Sequence, residues 1–462
     1  MLPENVLLDI FCFYKEDHDQ PYPVWKWHLL VHICQRWRQL VFASQLRLDL
    51  RISFSSRNLV GKDLGIWPVF PICVDFDCHS DRRDGNNAPS EDNIVTVLGH
   101  VDRVCYVRLG VTGSELGKIS GAMQKPFPVL TTLRIISKDG DAPVLPAEFL
   151  GGSAPRLQEI HLDSIPFPAL PTLLLSTSDL IEVDLWSTPP TGYISPEAMV
   201  ACLAALPRLH TFAIGFRSAT SRPDQIHPPP VMRTVLPALT RFNFRGATEY
   251  LEDLVSRIDT PQLDAIHISY LIELVDFRVP QLARFIGRSV SPKLTQFRYA
   301  QITFYSNVVI FNMSHHANGP YPNPAYSIFY QGIAWPVLHI ARLLNHVSAT
   351  LTNVVRLKLE VLHQLEGPDN VGSWLHLLQQ FPTVHTLHVS RKLSGCIALV
   401  LESITGESVA EVLPSLGLIY LADQPASSVE KFVASRRLSD RPVTVVETEI
   451  EFNEKLESYV SK

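Results

Sequence analysis

Pro155-Arg156-Leu157-Gln158-Glu159-Ile160-His161-Leu162 is a phrase of proline, an apolar residue two places on, and an apolar-x-apolar pair. It recurs as Pro207-Arg208-Leu209-His210-Thr211-Phe212-Ala213-Ile214, Pro237-Ala238-Leu239-Thr240-Arg241-Phe242-Asn243-Phe244 and Pro292-Lys293-Leu294-Thr295-Gln296-Phe297-Arg298-Tyr299. Leu130, Leu180, Leu263, Val384 and Leu416 open further copies, and Val104 and Val354 open versions without the proline. Openings from 104 to 416 are spaced by 23 to 32 residues, apart from one interval of 60 between Leu294 and Val354. Each copy ends in the period-two alternation of a half-buried strand. Leu46-x-Leu48-x-Leu50 and Ile72-x-Val74-x-Phe76 read as two earlier strands of the same kind.

Helical segments lie between the strands. Ser195-Pro196-Glu197 is a helix start, with serine at the N-cap and proline at the first helical position, ahead of Met199, Cys202, Leu203 and Leu206. Ser427-x-x-Glu430 is a capping box before Phe432-Val433, and Trp374-Leu375-x-Leu377-Leu378 is a third helical candidate. A period of 20 to 32 residues with one strand each, and helical segments between, is the pattern of stacked repeats. The chain resembles leucine-rich repeat proteins, which implies a curved solenoid over about 45–447, parallel sheet inside and helices outside. It departs from that family where an asparagine is usual: Ile165, Thr188, Arg217, Ala247 and Leu271 stand there. A general parallel α/β fold also fits the alternation.

If Ile160 and Leu162 point into the core, Glu159, His161 and Asp163 point outward. The same rule exposes Glu182, Asp184 and Trp186, then Arg241, Asn243 and Arg245, and later His267, Arg298, Arg356, Lys358, His388 and Tyr420. Early strands thus offer acids and later ones bases, on the concave face where a protein substrate would be held. The candidate substrate-binding set is His161, Asp184, Trp186, Arg241, Asn243, Arg245, His267, Arg298, Lys358 and His388. The long interval holds an insertion at about 303–335, rich in aromatics (Phe304, Tyr305, Phe311, Tyr326, Phe329, Tyr330). It reads either as part of a binding face or as a hairpin covering the core.

The first 44 residues differ. Pro3 and Glu4 suit a helix start, and Val6, Leu7, Ile10, Phe11 and Tyr14 recur at helical spacing over 2–14. A loop with Pro21 and Pro23 follows, then a second helix from about Trp25 to Phe42, with Leu29, Leu30, Ile33, Trp37, Leu40 and Val41 as its apolar face. About 40 residues cannot bury a core alone, so this surface must be covered by the rest of the chain, another protein, or both. Leu2-Pro3-Glu4-x-x-Leu7-x-x-Ile10-Phe11, with Leu30-x-x-Ile33-Cys34-x-x-Trp37-Arg38-x-Leu40-Val41, resembles the F-box of fungal F-box proteins. The resemblance implies docking on a Skp-family adaptor, and through it a cullin, in an SCF-type cullin-RING ubiquitin ligase. Carried over by position, the adaptor contacts are Leu2, Pro3, Val6, Leu7, Ile10, Phe11, Leu30, Cys34, Trp37 and Leu40.

The expected fold class is therefore α/β: a small all-α F-box at 1–44, a leucine-rich-repeat-like solenoid, and an acidic tail at 448–462. Apolar residues make up 46% of the 462 and charged residues 19%, the profile of a folded chain. With 40 basic against 46 acidic residues, a general nucleic-acid or membrane-surface binder is not expected. Seven scattered cysteines without a Cys-x-x-Cys pair, and a start lacking the pattern of a secretory signal, point to the cytoplasm or nucleus.

No enzyme motif is complete. Gly113-Ser114-Glu115-Leu116-Gly117-Lys118 is one residue short of a phosphate loop and is followed by Ile119. Asp75-x-Asp77 lacks the rest of a calcium loop, and Cys73, Cys78 and His79 lack a fourth zinc ligand. No cofactor or metal is expected. The leading reading is a substrate-recognition adaptor; the alternatives are a repeat scaffold without a ligase role and a hydrolase sited in the insertion.

Overall fold

A computed structural model describes residues 2–15, 27–48, 50–55, 70–78, 91–218, 232–271, 279–288, 296–305, 308–315, 326–331, 336–362, 371–404, 411–422 and 424–448. The chain divides into two compact units, Met1–Ile194 with Ala201–Leu209, and Ser195–Val200 with His210–Lys462. It is a mixed α/β protein dominated by parallel strand pairing.

The first unit opens with four short helices, α1 (Glu4–Lys15), α2 (Trp27–Val31), α3 (Gln35–Ala43) and α4 (Gln45–Leu48). The single helix expected from Trp25 to Phe42 is broken at Cys34. That residue is extended (φ −157°, ψ 166°), and its Sγ accepts from Trp37 N at 3.4 Å, making it the N-cap of α3. Arg38 Nε donates to Val31 O at 3.0 Å and serves a carbonyl left open where α2 ends. Leu46-x-Leu48 is not a strand either. Leu48 N bonds Ser44 O at 3.0 Å, so this stretch continues the helices, and β1 begins at Ile52.

Six parallel strands follow: β1 (Ile52–Ser55), β2 (Ile72–Asp77), β3 (Val104–Val111), β4 (Thr132–Ser137), β5 (Glu159–Asp163) and β6 (Glu182–Thr188). Between them lie α5 (Glu91–Leu98), α6 (Gly113–Ala122) and α7 (Leu170–Leu175). β4, β5 and β6 start two residues after the openings at Leu130, Leu157 and Leu180. Leu133, Ile135, Ile160, Leu162, Val183 and Leu185 are buried and alternate with half-exposed neighbours, so one face of the sheet is packed and the other open.

The unit boundary runs through α8 (Pro196–Ala204), which starts as its sequence announces: Ser195 Oγ accepts from Ala198 N at 3.2 Å. The second unit holds β7 (Thr211–Phe216), β8 (Thr234–Val235), β9 (Arg241–Gly246), α9 (Thr248–Arg257), β10 (Ile258–Asp259), β11 (Ala265–Leu271), α10 (Pro280–Arg288), β12 (Tyr299–Phe304), β13 (Val308–Ser314) and β14 (Tyr326–Gln331). It continues with α11 (Pro336–His346), α12 (Ser348–Leu351), β15 (Arg356–Val361), α13 (Val371–Gln379), β16 (Thr386–Val389), α14 (Arg391–Glu402), β17 (Leu418–Ala422), α15 (Glu430–Leu438) and β18 (Thr444–Thr448). Its main sheet runs β7-β9-β11-β14-β13-β12-β15-β16-β17-β18, and β8 with β10 forms a small parallel pair.

The 60-residue interval has a structural answer. β13 pairs antiparallel with both β12 and β14, and β14 pairs parallel with β11. The segment expected to lie over a face instead inserts two strands into the sheet. Of its aromatics, Phe304 and Phe311 are fully buried and Tyr305 nearly so. Residues 306–307, 316–325 and 332–335 of the insertion, and the expected tail from 449 on, lie outside the described residues.

Without the asparagine, successive repeats are tied by a main-chain ladder. Thr131 O accepts from both Gln158 N and Glu159 N, at 2.8 and 3.0 Å, and Gln158 O accepts from Ile181 N and Glu182 N at the same distances. In the second unit His210, Thr240, Arg298, Val355 and His385 carbonyls each accept two consecutive amides of the next paired strand. Helix starts are closed by carboxylates of the preceding helix. Glu252 accepts from Gln281 N and Leu282 N, at 2.8 and 2.9 Å, and Glu402 from Lys431 N at 2.8 Å and Phe432 N at 3.3 Å. The latter pair replaces the capping box expected at Ser427, which lies in a 3₁₀ turn, Ala426–Val429.

Candidate functional site

Two surfaces carry the candidate residues. The first is the outer flank of α1. Its apolar residues form two stripes, not one. Leu7, Leu8 and Phe11 are buried, with Phe11 edge-on to Trp37 at a centroid distance of 4.7 Å. Leu2, Val6, Ile10 and Phe13 lie on the opposite side at helical spacing and are 51, 41, 44 and 77% exposed. Leu29 and Ile33 are exposed as well. Six of the thirteen exposed large apolar side chains among the described residues thus fall between 2 and 33, so the apolar exposure is concentrated here.

This corrects part of the expected contact set. Leu7, Phe11, Leu30 and Leu40 are buried within their own chain and build the helices' core. Trp37 is half-buried, and Leu2, Pro3, Val6, Ile10 and Cys34 remain accessible. Phe13, Leu29 and Ile33 escaped the sequence reading. Their signal is the second stripe, 2-6-10-13, which a single amphipathic pattern hides. Ion pairing and a hydrogen bond tie the helices together: Arg47 Nη2 meets Asp9 Oδ1 at 2.7 Å, and Arg36 Nη2 donates to Leu2 O at 2.8 Å.

The second surface is the open face of the sheets. In the first unit the expected acids are there, and two of the four, Glu159 and Asp184, have basic partners, while Glu182 lies opposite Glu159 and Asp163 accepts from Ser164 Oγ. His161 Nδ1 lies 2.7 Å from Asp184 Oδ2, in register across β5 and β6. Arg134 meets Glu159 at 3.0 Å, Arg108 meets Asp75 at 3.3 Å, and Lys138 meets Asp77 at 2.8 Å. Arg108, Arg134 and Lys138 were missed as partners, although the alternation of β3 and β4 places both arginines outward. Trp186 is half-buried opposite Asp163. The expected acidic end is therefore partly taken up in cross-strand pairs, each modest at such exposure.

In the second unit the register sets out polar rows. One runs Asn243, His267, Ser327, Asn312, Gln301, Lys358, His388, Tyr420 across β9, β11, β14, β13, β12, β15, β16 and β17. Ser327 Oγ donates to Asn312 Oδ1 at 2.7 Å, and Gln301 Nε2 to Glu360 Oε2 at 2.7 Å. Lys358 pairs with Glu360. His388 stacks on Tyr420 with centroids 4.4 Å apart and planes 5° apart. A neighbouring row carries Arg241 on β9 and Tyr299 and Arg356 on β12 and β15, with the Arg356 guanidinium 5.6 Å from the Tyr299 ring centre. Arg298 corrects the expectation for this repeat. The strand starts at Tyr299, later than the phrase predicts, so Tyr299 and Gln301 face out while Arg298 precedes the strand. Burial of Phe297 ahead of the strand sets the offset.

The near-motifs resolve as structure. Gly113 N donates to both Asp139 oxygens, at 3.1 and 2.9 Å, so the chain's own carboxylate occupies the start of α6. The amides of Gly113 and Asp141 hold the Asp139 carboxyl below its usual range. A Cβ at position 113 would lie 2.1 Å from Asp141 O, which requires glycine. Cys73 Sγ is 3.9 Å from Cys105 Sγ, and hydrogen bonding with that thiol, together with burial, raises the Cys73 thiol well above its ordinary value. Among the described residues no three His, Cys, Asp or Glu side chains converge as a metal site, and no helix is long and apolar enough to cross a membrane.

Three histidines of the second unit are depressed below the ordinary 6.5: His267 by burial, His339 by burial and then Arg342, and His388 by burial and then Arg356 and Lys358. Above pH 6.5 these histidines are neutral whether the chain is folded or not. As pH falls through 6.5 the unfolded chain takes up protons that the folded one refuses, so stability is lost toward the depressed folded values. Thermal melts of the full chain should therefore fall from pH 7 to pH 5. Replacing all three histidines with glutamine should flatten that slope; parallel slopes would refute the assignment.

No family model matches the chain, and no curated protein matches it. Among solved structures it is similar to the leucine-rich repeat-containing protein LegL7 of Legionella pneumophila, at 13% identity over 70% of this chain and 95% of that one, with a TM-score of 0.26.

Proposed function

We propose that the chain is a substrate-recognition adaptor of an SCF-type cullin-RING ubiquitin ligase. The α1 flank docks on a Skp-family adaptor, and the open sheet face of the second unit holds a protein substrate. Ubiquitin transfer is then accelerated by proximity, with the covalent chemistry left to other subunits. The observation that carries this reading is the second apolar stripe of α1. A helix with apolar residues on both sides of its axis is covered on both, and among the described residues the stripe of Leu7, Leu8 and Phe11 is buried while Val6, Ile10 and Phe13 are exposed. The F-box resemblance names the partner that fits the other stripe.

The test is co-purification of the full chain with a recombinant Skp-family adaptor at physiological salt. A stoichiometric complex on size exclusion is the expected result. Failure to form it, with the chain folded, would leave the repeat scaffold as the function and remove the ligase role.

A further inference from the structure

We propose that the open sheet face of the second unit binds an extended acidic protein segment carrying two groups of carboxylates about seven residues apart. This deepens the reading that the face holds a protein substrate, and names the substrate's chemistry. The first support is charge. Outward positions of β9, β12 and β15 bring Arg241, Arg245, Arg356 and Lys358 against a single carboxylate, Glu360, which Lys358 engages. In the first unit each of the three corresponding cations has a carboxylate within 3.3 Å. Among the described residues Arg241, Arg245 and Arg356 have none: Arg241 Nε donates to Thr211 Oγ1, Arg356 lies against Tyr299, and the buried Arg245 Nε has no acceptor. A guanidinium with a desolvated, unmatched donor favours a charged acceptor.

The second support is spacing. Arg241 and Arg245 lie on β9 and Arg356 on β15, with β11, β14, β13 and β12 between them. Five inter-strand steps of about 4.8 Å separate the two cationic groups by about 24 Å. A peptide running across the strands at about 3.3 Å per residue covers this in about seven residues. Of the intervening positions, Ser327 is buried and donates to Asn312, and Gln301 donates to Glu360, so half-buried His267, Asn312 and Gln301 form a floor without a carboxylate or a fixed cation. Beyond Arg356, the flat His388–Tyr420 pair offers an apolar and aromatic platform past the second acidic group. A protein segment suits this better than a nucleic acid strand. A phosphate backbone presents a charge at every nucleotide and would meet a neutral stretch here, and the chain as a whole carries a net charge of −6.

The experiment uses fluorescein-labelled 14-residue peptides of Gly, Ser and Thr on the intact chain, read by anisotropy. One peptide carries two Glu-Glu pairs centred seven residues apart. A second carries the same pairs adjacent, and a third replaces them with Gln. A single-stranded oligonucleotide of equal charge completes the set. The spaced peptide should bind at least tenfold more tightly than the adjacent one, and the Gln peptide not measurably. Arg241→Gln with Arg356→Gln, both exposed and so neutral for folding by circular dichroism, should lower the spaced peptide's affinity at least tenfold and erase its advantage. Absence of binding by the spaced peptide, equal binding of both spacings, insensitivity to the double substitution, or tighter binding of the oligonucleotide would each overturn the proposal. Peptide binding retained by a chain that fails to capture the Skp-family adaptor would reject the ligase role alone.

Discussion

Arg436→Met should cost about 2–4 kcal/mol of unfolding free energy, since buried carbonyls that lose a charged donor cost about 1–3 kcal/mol each. Arg436 is fully buried in α15, and its Nη2 donates to the carbonyls of Leu413, Pro414 and Leu416 at 3.3, 3.2 and 3.1 Å. These carbonyls converge because Leu413 sits in the left-handed region at φ 48°, a conformation a leucine holds only under constraint. Methionine matches the arginine stem in volume but supplies no donor: the Leu413 carbonyl keeps the Leu416 amide at 3.0 Å, while those of Pro414 and Leu416 lose the guanidinium. Arg436→Lys should fall between the two, since one ammonium cannot span three acceptors in a fixed plane. Denaturant unfolding reads the loss, and hydrogen exchange locates it. The turn leads directly into β17, so amides of 416–422 should exchange faster and the His388–Tyr420 stack should loosen with them. A loss under about 1 kcal/mol would mean that the turn holds without the guanidinium.

Nothing in the sequence singled out Arg436, and the reason is general. A period-two pattern reports which face a strand residue takes, because alternation is fixed by backbone geometry. That is why Ile160 and Leu162, Phe242 and Phe244, and Leu357 and Leu359 were legible as core, and Asn243, His267, Lys358 and His388 as surface. What lies next to a surface residue depends on register between distant repeats. Arg108 and Asp75, or Lys138 and Asp77, are 33 and 61 residues apart, and no local pattern joins them. Strand direction is equally silent: β13 alternates like its neighbours while running against them. In the helices, a period of 3.6 marks one apolar stripe, wider in sequence than the stripe that is buried. Val6 and Ile10 fall beside Leu7 and Phe11 in sequence, and only packing separates the buried stripe from the bare one. The break at Cys34 was hidden for a related reason, since a thiol acting as an N-cap lies outside the usual capping residues.

The two stripes of α1 make opposite demands, and substitution should separate them. Val6→Glu with Ile10→Glu places two carboxylates on a flank that is already half in water, so the folded chain should melt within about 1 °C of the original, as surface changes do. On the docking proposed for a Skp-family adaptor, the same pair removes two apolar contacts and buries two charges. Losing the contacts alone costs about 1 kcal/mol or more each, and desolvating the carboxylates adds to it. An affinity loss of at least about 100-fold follows, since each 1.4 kcal/mol is tenfold. Leu7→Ala or Phe11→Ala should behave in reverse. Each empties a core position, at about 2–5 kcal/mol, and loosens the helices before any partner arrives. Adaptor binding would then fall in proportion to unfolding and recover at lower temperature, whereas the Val6 and Ile10 loss would persist. Calorimetric titration of the adaptor at two temperatures, beside melts of each variant, distinguishes the cases. If the glutamates leave adaptor affinity intact while Leu7→Ala abolishes it in a chain that remains folded, the helices must turn over on binding, and the exposed stripe is not the docking face.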